Sequence, residues 1–182
     1  MLRIDEGRFQ AAHHLFCEHM LRKSDGVPFE SFDDHPFLKD DELDLKRRAR
    51  RRGQEALSIY EWIEWQGVPG RILEATKLAC GSKASGILLE HSKGDGNSDA
   101  CLYRAEARGL VEEMERQLVQ FMLGGSPSTE EFGPRLDTFA DFLRRNSLGC
   151  QWSFVAYLAF LLRPGVYFPI RSTYFQGLAR FY

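Results

Sequence analysis

The chain has 182 residues, of which 43% are hydrophobic and 13% aromatic, and this composition excludes a protein that is disordered throughout. Its formal net charge of −2 gives no overall signature of nucleic-acid binding, so any basic surface must be local. The four scattered cysteines form no CxxC pair and predict reduced, mostly buried thiols. Because no signal-peptide core and no apolar run of ~20 residues is present, we expect a cytoplasmic protein with no membrane partner.

Hydrophobic periodicity predicts three helices in the first half of the chain, over residues 5–22, about 40–66 and 70–80. Gly67 and Pro69 are expected to terminate the long second helix. The apolar stripe of that helix consists of Leu45, Ala49, Ala56, Tyr60 and Ile63.

The second half of the chain follows an irregular middle segment, 81–97, and is also helical in its pattern. A helix is predicted from about Cys101 to Leu123, and Ser128 with Glu131 forms a capping box for the next one. The inward face of that next helix consists of Leu136, Phe139, Ala140 and Leu143. Residues 152–162 are apolar on all sides and predict a buried central helix, after which a last helix is expected over 172–182.

Strand signals are few, so the sequence predicts an all-α fold. We expect a compact bundle of six to eight helices with an irregular middle segment. Residues 1–182 form either a single helical domain or two helical halves, 1–80 and 101–182, joined by the segment 81–100.

One helix carries a dense run of positive charge, which would suit the phosphates of nucleic acid. The candidate nucleic-acid-binding residues are Lys46, Arg47, Arg48, Arg50 and Arg51, followed by Arg52. The alternative is a solvated face, because Glu42, Asp44 and Glu55 stand four residues from Lys46, Arg48 and Arg51. Arg47 and Arg50 have no obvious acidic partner on the helix.

A calcium loop is a second candidate site. Asp95, Asn97, Asp99 and Glu106 occupy positions 1, 3, 5 and 12 of an EF-hand spacing. Ala100 stands where the loop needs glycine, and no second loop is present, so an ordinary surface turn is the alternative.

Histidines of the first helix offer a third candidate, since His13 and Cys17 share a face, as do His14 and Glu18. Zinc would need further ligands, and we expect His13 to be partly buried instead. Phosphate-binding glycine loops, GxSxG and HExxH are absent, so the sequence gives no catalytic motif and predicts no cofactor.

The C-terminal segment combines aromatic and arginine side chains that suit a protein partner. The candidate partner-binding residues are Arg163, Tyr167, Phe168, Arg171, Phe181 and Tyr182. The alternative is a structured loop that packs on the bundle. The aromatic end, within a predicted helix, suggests either a docked terminus or the place where a partner or further segment begins.

The C-terminal pattern consists of a helix that ends in FLLRP, a short turn, the sequence YFPIR and a further helix. On this pattern, residues 101–182 resemble helical modules that accompany effector domains in bacterial restriction and phage-defence proteins. The resemblance implies a role in recognition or assembly, with enzymatic activity on another domain or subunit. We therefore expect a non-catalytic antiviral-defence module that contacts a protein partner and, as a second ligand, nucleic acid. The alternatives are a nucleic-acid-directed, metal-dependent enzyme and a calcium-binding protein.

Overall fold

The computed structural model describes residues 6–31, 35–38, 44–89, 98–124 and 129–167. The helices are α1 (Glu6–Lys23), α2 (Asp44–Leu57), α3 (Trp62–Trp65), α4 (Arg71–Cys80), α5 (Ser82–Ser85), α6 (Ala100–Ala107), α7 (Val111–Leu123), α8 (Thr129–Arg145) and α9 (Trp152–Leu162). These described ranges contain no strand, which confirms the all-α prediction. Among them, no helix combines the length and apolar character needed to cross a membrane.

The chain divides into two compact units, and the boundary falls between Arg48 and Ala49, inside α2. In the first unit, α1 is followed by a turn in which the Ser24 hydroxyl donates to the backbone oxygen of Met20 over 2.8 Å. The ring of Phe29 meets the ring of Phe16 edge-on at 4.9 Å. The Met20 side chain of this unit is also buried.

Helix α9 lies at the centre of the second unit, as its uniformly apolar sequence predicts. Phe154, Tyr157 and Leu158 have no exposed surface. The Tyr157 hydroxyl donates to the backbone oxygen of Ala79 over 2.9 Å, so the one polar group of this trio is satisfied within the core.

Helix α7 connects the second unit by packing against α4, α6, α8 and α9. The Phe121 ring of α7 stacks on Phe139 of α8 at a centroid distance of 5.1 Å. Phe139, Ala140 and Leu143 are buried, and Leu136 packs against the core, as the pattern of α8 predicts. Ser128 of the predicted capping box and the predicted helix 172–182 lie outside the described residues.

The predicted long helix over 40–66 is wrong beyond Leu57, where α2 ends. Ser58 adopts a left-handed conformation with φ of 44°, which breaks the helical backbone. The buried indole of Trp62 donates to the Leu57 carbonyl over 2.7 Å and so satisfies an acceptor at the helix end. The predicted apolar stripe therefore does not continue beyond the break: the Tyr60 side chain is 95% exposed and that of Ile63 is 71% exposed.

The single helix predicted between Cys101 and Leu123 is also wrong, because α6 and α7 are separate helices. Gly109 has a φ of +69°, a left-handed conformation that glycine adopts without the clash of a Cβ. The N–H of Leu110 then bonds to the carbonyl of Ala105 over 2.8 Å, which closes the end of α6.

Candidate functional site

Helix α2 presents arginines on the side opposite its buried residues. Its buried positions are Ala49, Gly53 and Leu57, which lie one helical turn apart. The exposed arginines are Arg47, Arg48, Arg51 and Arg52, whereas Lys46 and Arg50 are half-buried. We call the exposed set the α2 basic face.

Gly53 explains how closely α2 approaches α9. A Cβ built at Gly53 would lie 2.8 Å from Cδ2 of Leu161 and would also overlap the Tyr157 hydroxyl. The Gln54 amide donates to the Leu161 carbonyl over 2.7 Å, which ties the same turn of α2 to the end of α9. The backbone that carries Arg51 and Arg52 is therefore fixed to the core.

The ion pairs of α2 differ from those that i,i+4 spacing predicts. Asp44 pairs with Arg47, at 3.3 Å between Oδ1 and Nη1, and not with Arg48. Glu55 does not pair with Arg51. The prediction that Arg47 lacks an acidic partner is therefore wrong, since Asp44 is that partner. Within the described part of the chain, Arg48 and Arg51 are exposed arginines with no ion pair.

An open groove adjoins the basic face in the second unit. Arg52 donates to the backbone oxygen of Lys83 over 3.4 Å, which places a second cation beside the helix. The groove has a volume of about 720 Å³ and is lined by Arg52, Glu55, Ala56, Leu78, Lys83 and Ala84. Arg50 is half-buried, and its Nε is buried without a hydrogen-bond partner, so this arginine is less available to a ligand than its neighbours.

The predicted partner-binding residues are described only in part. Arg163 and Tyr167 are half-buried, whereas Phe168, Arg171, Phe181 and Tyr182 lie outside the described residues. The Tyr167 ring packs against Phe132 at a centroid distance of 4.5 Å, so it contributes to the core of the second unit. This contact accords with the packing alternative for that aromatic residue.

The predicted calcium ligands are likewise divided. Asp95 and Asn97 lie outside the described residues, and Asp99, directly before α6, is only 4% exposed. Glu106 pairs with Lys77, at 2.9 Å between Oε2 and Nζ. Burial lowers the pKa of Lys77, but hydrogen bonds to Glu74 and Glu106 outweigh it, so the net pKa is raised and the ammonium stays charged.

Within the described ranges, no three His, Cys, Asp or Glu side chains lie close enough together to hold a metal ion. On α1, the Cys17 sulfur lies 3.7 Å from Nε2 of His13, and His14 lies 3.3 Å from Glu18, as the helical spacing predicts. His13 is exposed, so its predicted partial burial is wrong.

A cavity between the α3–α4 connection and α7 was not predicted. It has a volume of about 360 Å³ and is lined by Trp65, Gln66, Gly67, Pro69, Ile72, Glu112, Glu115, Arg116 and Val119. We call it the α7 cavity. The only local signal was a tryptophan beside a Gly-Val-Pro-Gly turn, because the two walls are at least forty residues apart in sequence.

Comparisons of the chain with protein-family models, curated proteins and solved structures give no match. The resemblance of residues 101–182 to modules of phage-defence proteins therefore stays a prediction.

Proposed function

We propose that the protein is a non-catalytic recognition module that binds the phosphate backbone of nucleic acid through the α2 basic face. The supporting observation is that Arg48 and Arg51 are exposed and have no ion pair among the described residues. Arginine suits phosphate oxygens because its planar guanidinium donates several hydrogen bonds in a fixed geometry. Since such contacts read no base edges, we expect affinity without strong sequence preference.

The fixed position of α2 adds to this proposal. Gly53 lies against Leu161, and Gln54 bonds to the end of α9, so the part of the helix that carries Arg51 and Arg52 needs no rearrangement when a polyanion binds. Only the arginine side chains would lose rotational freedom on binding. Lys83, beside Arg52, extends the positive surface across the groove.

We also propose that the protein binds a protein partner, in an assembly of the prokaryotic defence type. Tyr60 and Ile63 favour it, since both are large apolar side chains exposed on adjoining turns. Aromatic residues of this kind supply much of the binding energy in protein interfaces. The cytoplasmic location, the metal-dependent enzyme and the calcium-binding protein stay predictions.

The test is titration of the full chain into fluorescein-labelled duplex and single-stranded DNA at several salt concentrations. We expect measurable affinity that falls with salt, and Arg48→Ala/Arg51→Ala should lower the magnitude of the salt slope by about two, one unit per lost phosphate contact. The matched control is Arg144→Ala/Arg145→Ala, which removes the same charge from exposed positions on α8. Salt-independent binding, or equal losses in both double variants, would contradict the assignment to α2.

A further inference from the structure

The α7 cavity combines an apolar wall with carboxylates. Its volume of about 360 Å³ lies within the range of natural ligand sites, about 300 to 1,000 Å³. Trp65, Ile72 and Val119 supply apolar surface. Glu112 is exposed on the wall formed by α7, and Glu115, one turn further on, is buried.

The charges around this cavity favour a cation. Arg116 is the one guanidinium of the lining, and its Nε donates to the Glu113 carboxylate over 3.0 Å. The hydrogen bond from Arg116 lowers the pKa of Glu113, so that carboxylate stays ionised and neutralises its partner. Glu112 has no ion pair among the described residues. The lining therefore has an exposed carboxylate that no cation compensates.

Trp65 already has a cation on its ring. The guanidinium carbon of Arg71 lies 5.0 Å from the ring centroid, within cation–π distance. Even with Arg71 counted, the carboxylates of Glu112, Glu113 and Glu115 outnumber the guanidiniums of Arg71 and Arg116. The charges of these five described side chains therefore sum to a negative value, opposite in sign to that of the α2 basic face.

We propose that the α7 cavity binds a lysine side chain of a protein partner. The four-carbon stem of lysine would pack on Trp65, Ile72 and Val119, and its ammonium would reach the carboxylate of Glu112. Lysine fits this arrangement because its stem is apolar and its head is a compact point charge. The inference goes beyond nucleic-acid binding and uses none of the α2 arginines.

The test uses the full chain labelled with ¹⁵N and follows the indole N–H resonance of Trp65, assigned with Trp65→Phe. The probe is the capped tripeptide acetyl-Gly-Lys-Gly-amide, and its partner peptide carries norleucine, which keeps the stem and lacks the ammonium. We expect a saturable shift with the lysine peptide and clearly weaker binding of the norleucine peptide. Glu112→Gln should weaken the lysine peptide about two- to fivefold, the range of an exposed ion pair.

Glu64→Gln is the matched control, because it removes an exposed carboxylate that does not line the cavity. It should leave the affinity unchanged. A lysine peptide that gives no saturable shift, binds no better than norleucine, or binds Glu112→Gln as well as wild type overturns the proposal. Butylamine tests the source of the cation: weaker binding than the tripeptide supports a protein partner, and equal binding would assign the cavity to small amines and overturn the partner.

Discussion

Replacement of Glu115 tests how the second unit holds together. This carboxylate is 7% exposed, and its oxygens accept the N–H groups of Gly70, over 3.1 Å, and Leu73, over 2.8 Å. Those N–H groups lie at the start of α4, where backbone N–H groups have no carbonyl partner within the helix itself. Glu115 of α7 therefore caps α4 from outside, and its negative charge lies at the positive end of that helix.

The expected loss for Glu115→Ala follows from these two bonds. Hydrogen bonds to a charged group contribute about 1.5–3 kcal/mol each, so the pair is worth about 3–6 kcal/mol. The interaction with the helix dipole adds about 0.3–1 kcal/mol. Because domains unfold at about 5–15 kcal/mol, the change removes a large share of the stability. The melting temperature should fall by about 10–20 °C at this chain length.

Urea unfolding followed by circular dichroism measures this change, with the slope of the transition as a check on two-state behaviour. Glu115→Gln keeps one acceptor oxygen but turns an amide NH₂ toward a backbone N–H, so we expect roughly half the loss or more. Glu112→Gln, on the same helix but exposed, should change stability by less than about 0.5 kcal/mol. A Glu115→Ala protein within 1 kcal/mol of wild type would refute the capping role.

Two further predictions concern the core. Gly53→Ala should destabilise the protein by about 1–3 kcal/mol in thermal unfolding, since the new Cβ overlaps the Leu161 methyls, whereas Gly165→Ala, with open space, should not. Burial raises the pKa of Cys101 from 9.0 to about 12, so above pH 9 the unfolded thiol loses a proton that the folded one keeps. Stability should therefore fall by about 1 kcal/mol per pH unit between pH 9 and 12. Cys101→Ala should remove this contribution to the slope of stability against pH. The control Leu118→Val should lower stability but leave that slope unchanged. An unchanged slope in Cys101→Ala would contradict the assignment to Cys101.

The sequence predicts a helix correctly where its hydrophobic pattern and the residues that end it lie in the same stretch of chain. The α9 segment is apolar on every side, and α4 ends at a glycine. Helix α2 could not be bounded this way, because Ser58 and Trp62 are compatible with a helix by propensity. What ends α2 is the burial of the Trp62 indole and its bond to Leu57, and a tertiary contact of this kind overrides local preference.

The candidate sites could be predicted only in part, again because tertiary contacts are not visible in the sequence. The basic run of α2 is visible in the sequence, but which arginine is paired is not, since Asp44 can reach either Arg47 or Arg48. Exposure of Arg51 depends on which side of α2 meets α9, and that is set by Gly53. The α7 cavity has no sequence signature because its walls come from distant segments, and Glu115 looks like any surface glutamate until α4 is placed beside it.

The opposite charges of the two proposed surfaces make their tests independent. Salt should weaken both nucleic acid at α2 and a lysine peptide at the α7 cavity, so salt dependence alone does not assign a ligand to a surface. The variants do, because Arg48→Ala/Arg51→Ala removes positive charge that would repel a cationic peptide, and Glu112→Gln removes negative charge that would repel DNA. A purely long-range effect would therefore strengthen the other ligand slightly in each case. Direct contact requires that the matching ligand lose more affinity than it does in the control variants Arg144→Ala/Arg145→Ala and Glu64→Gln, which remove the same charge elsewhere, and this comparison distinguishes binding at each surface from a change in net charge.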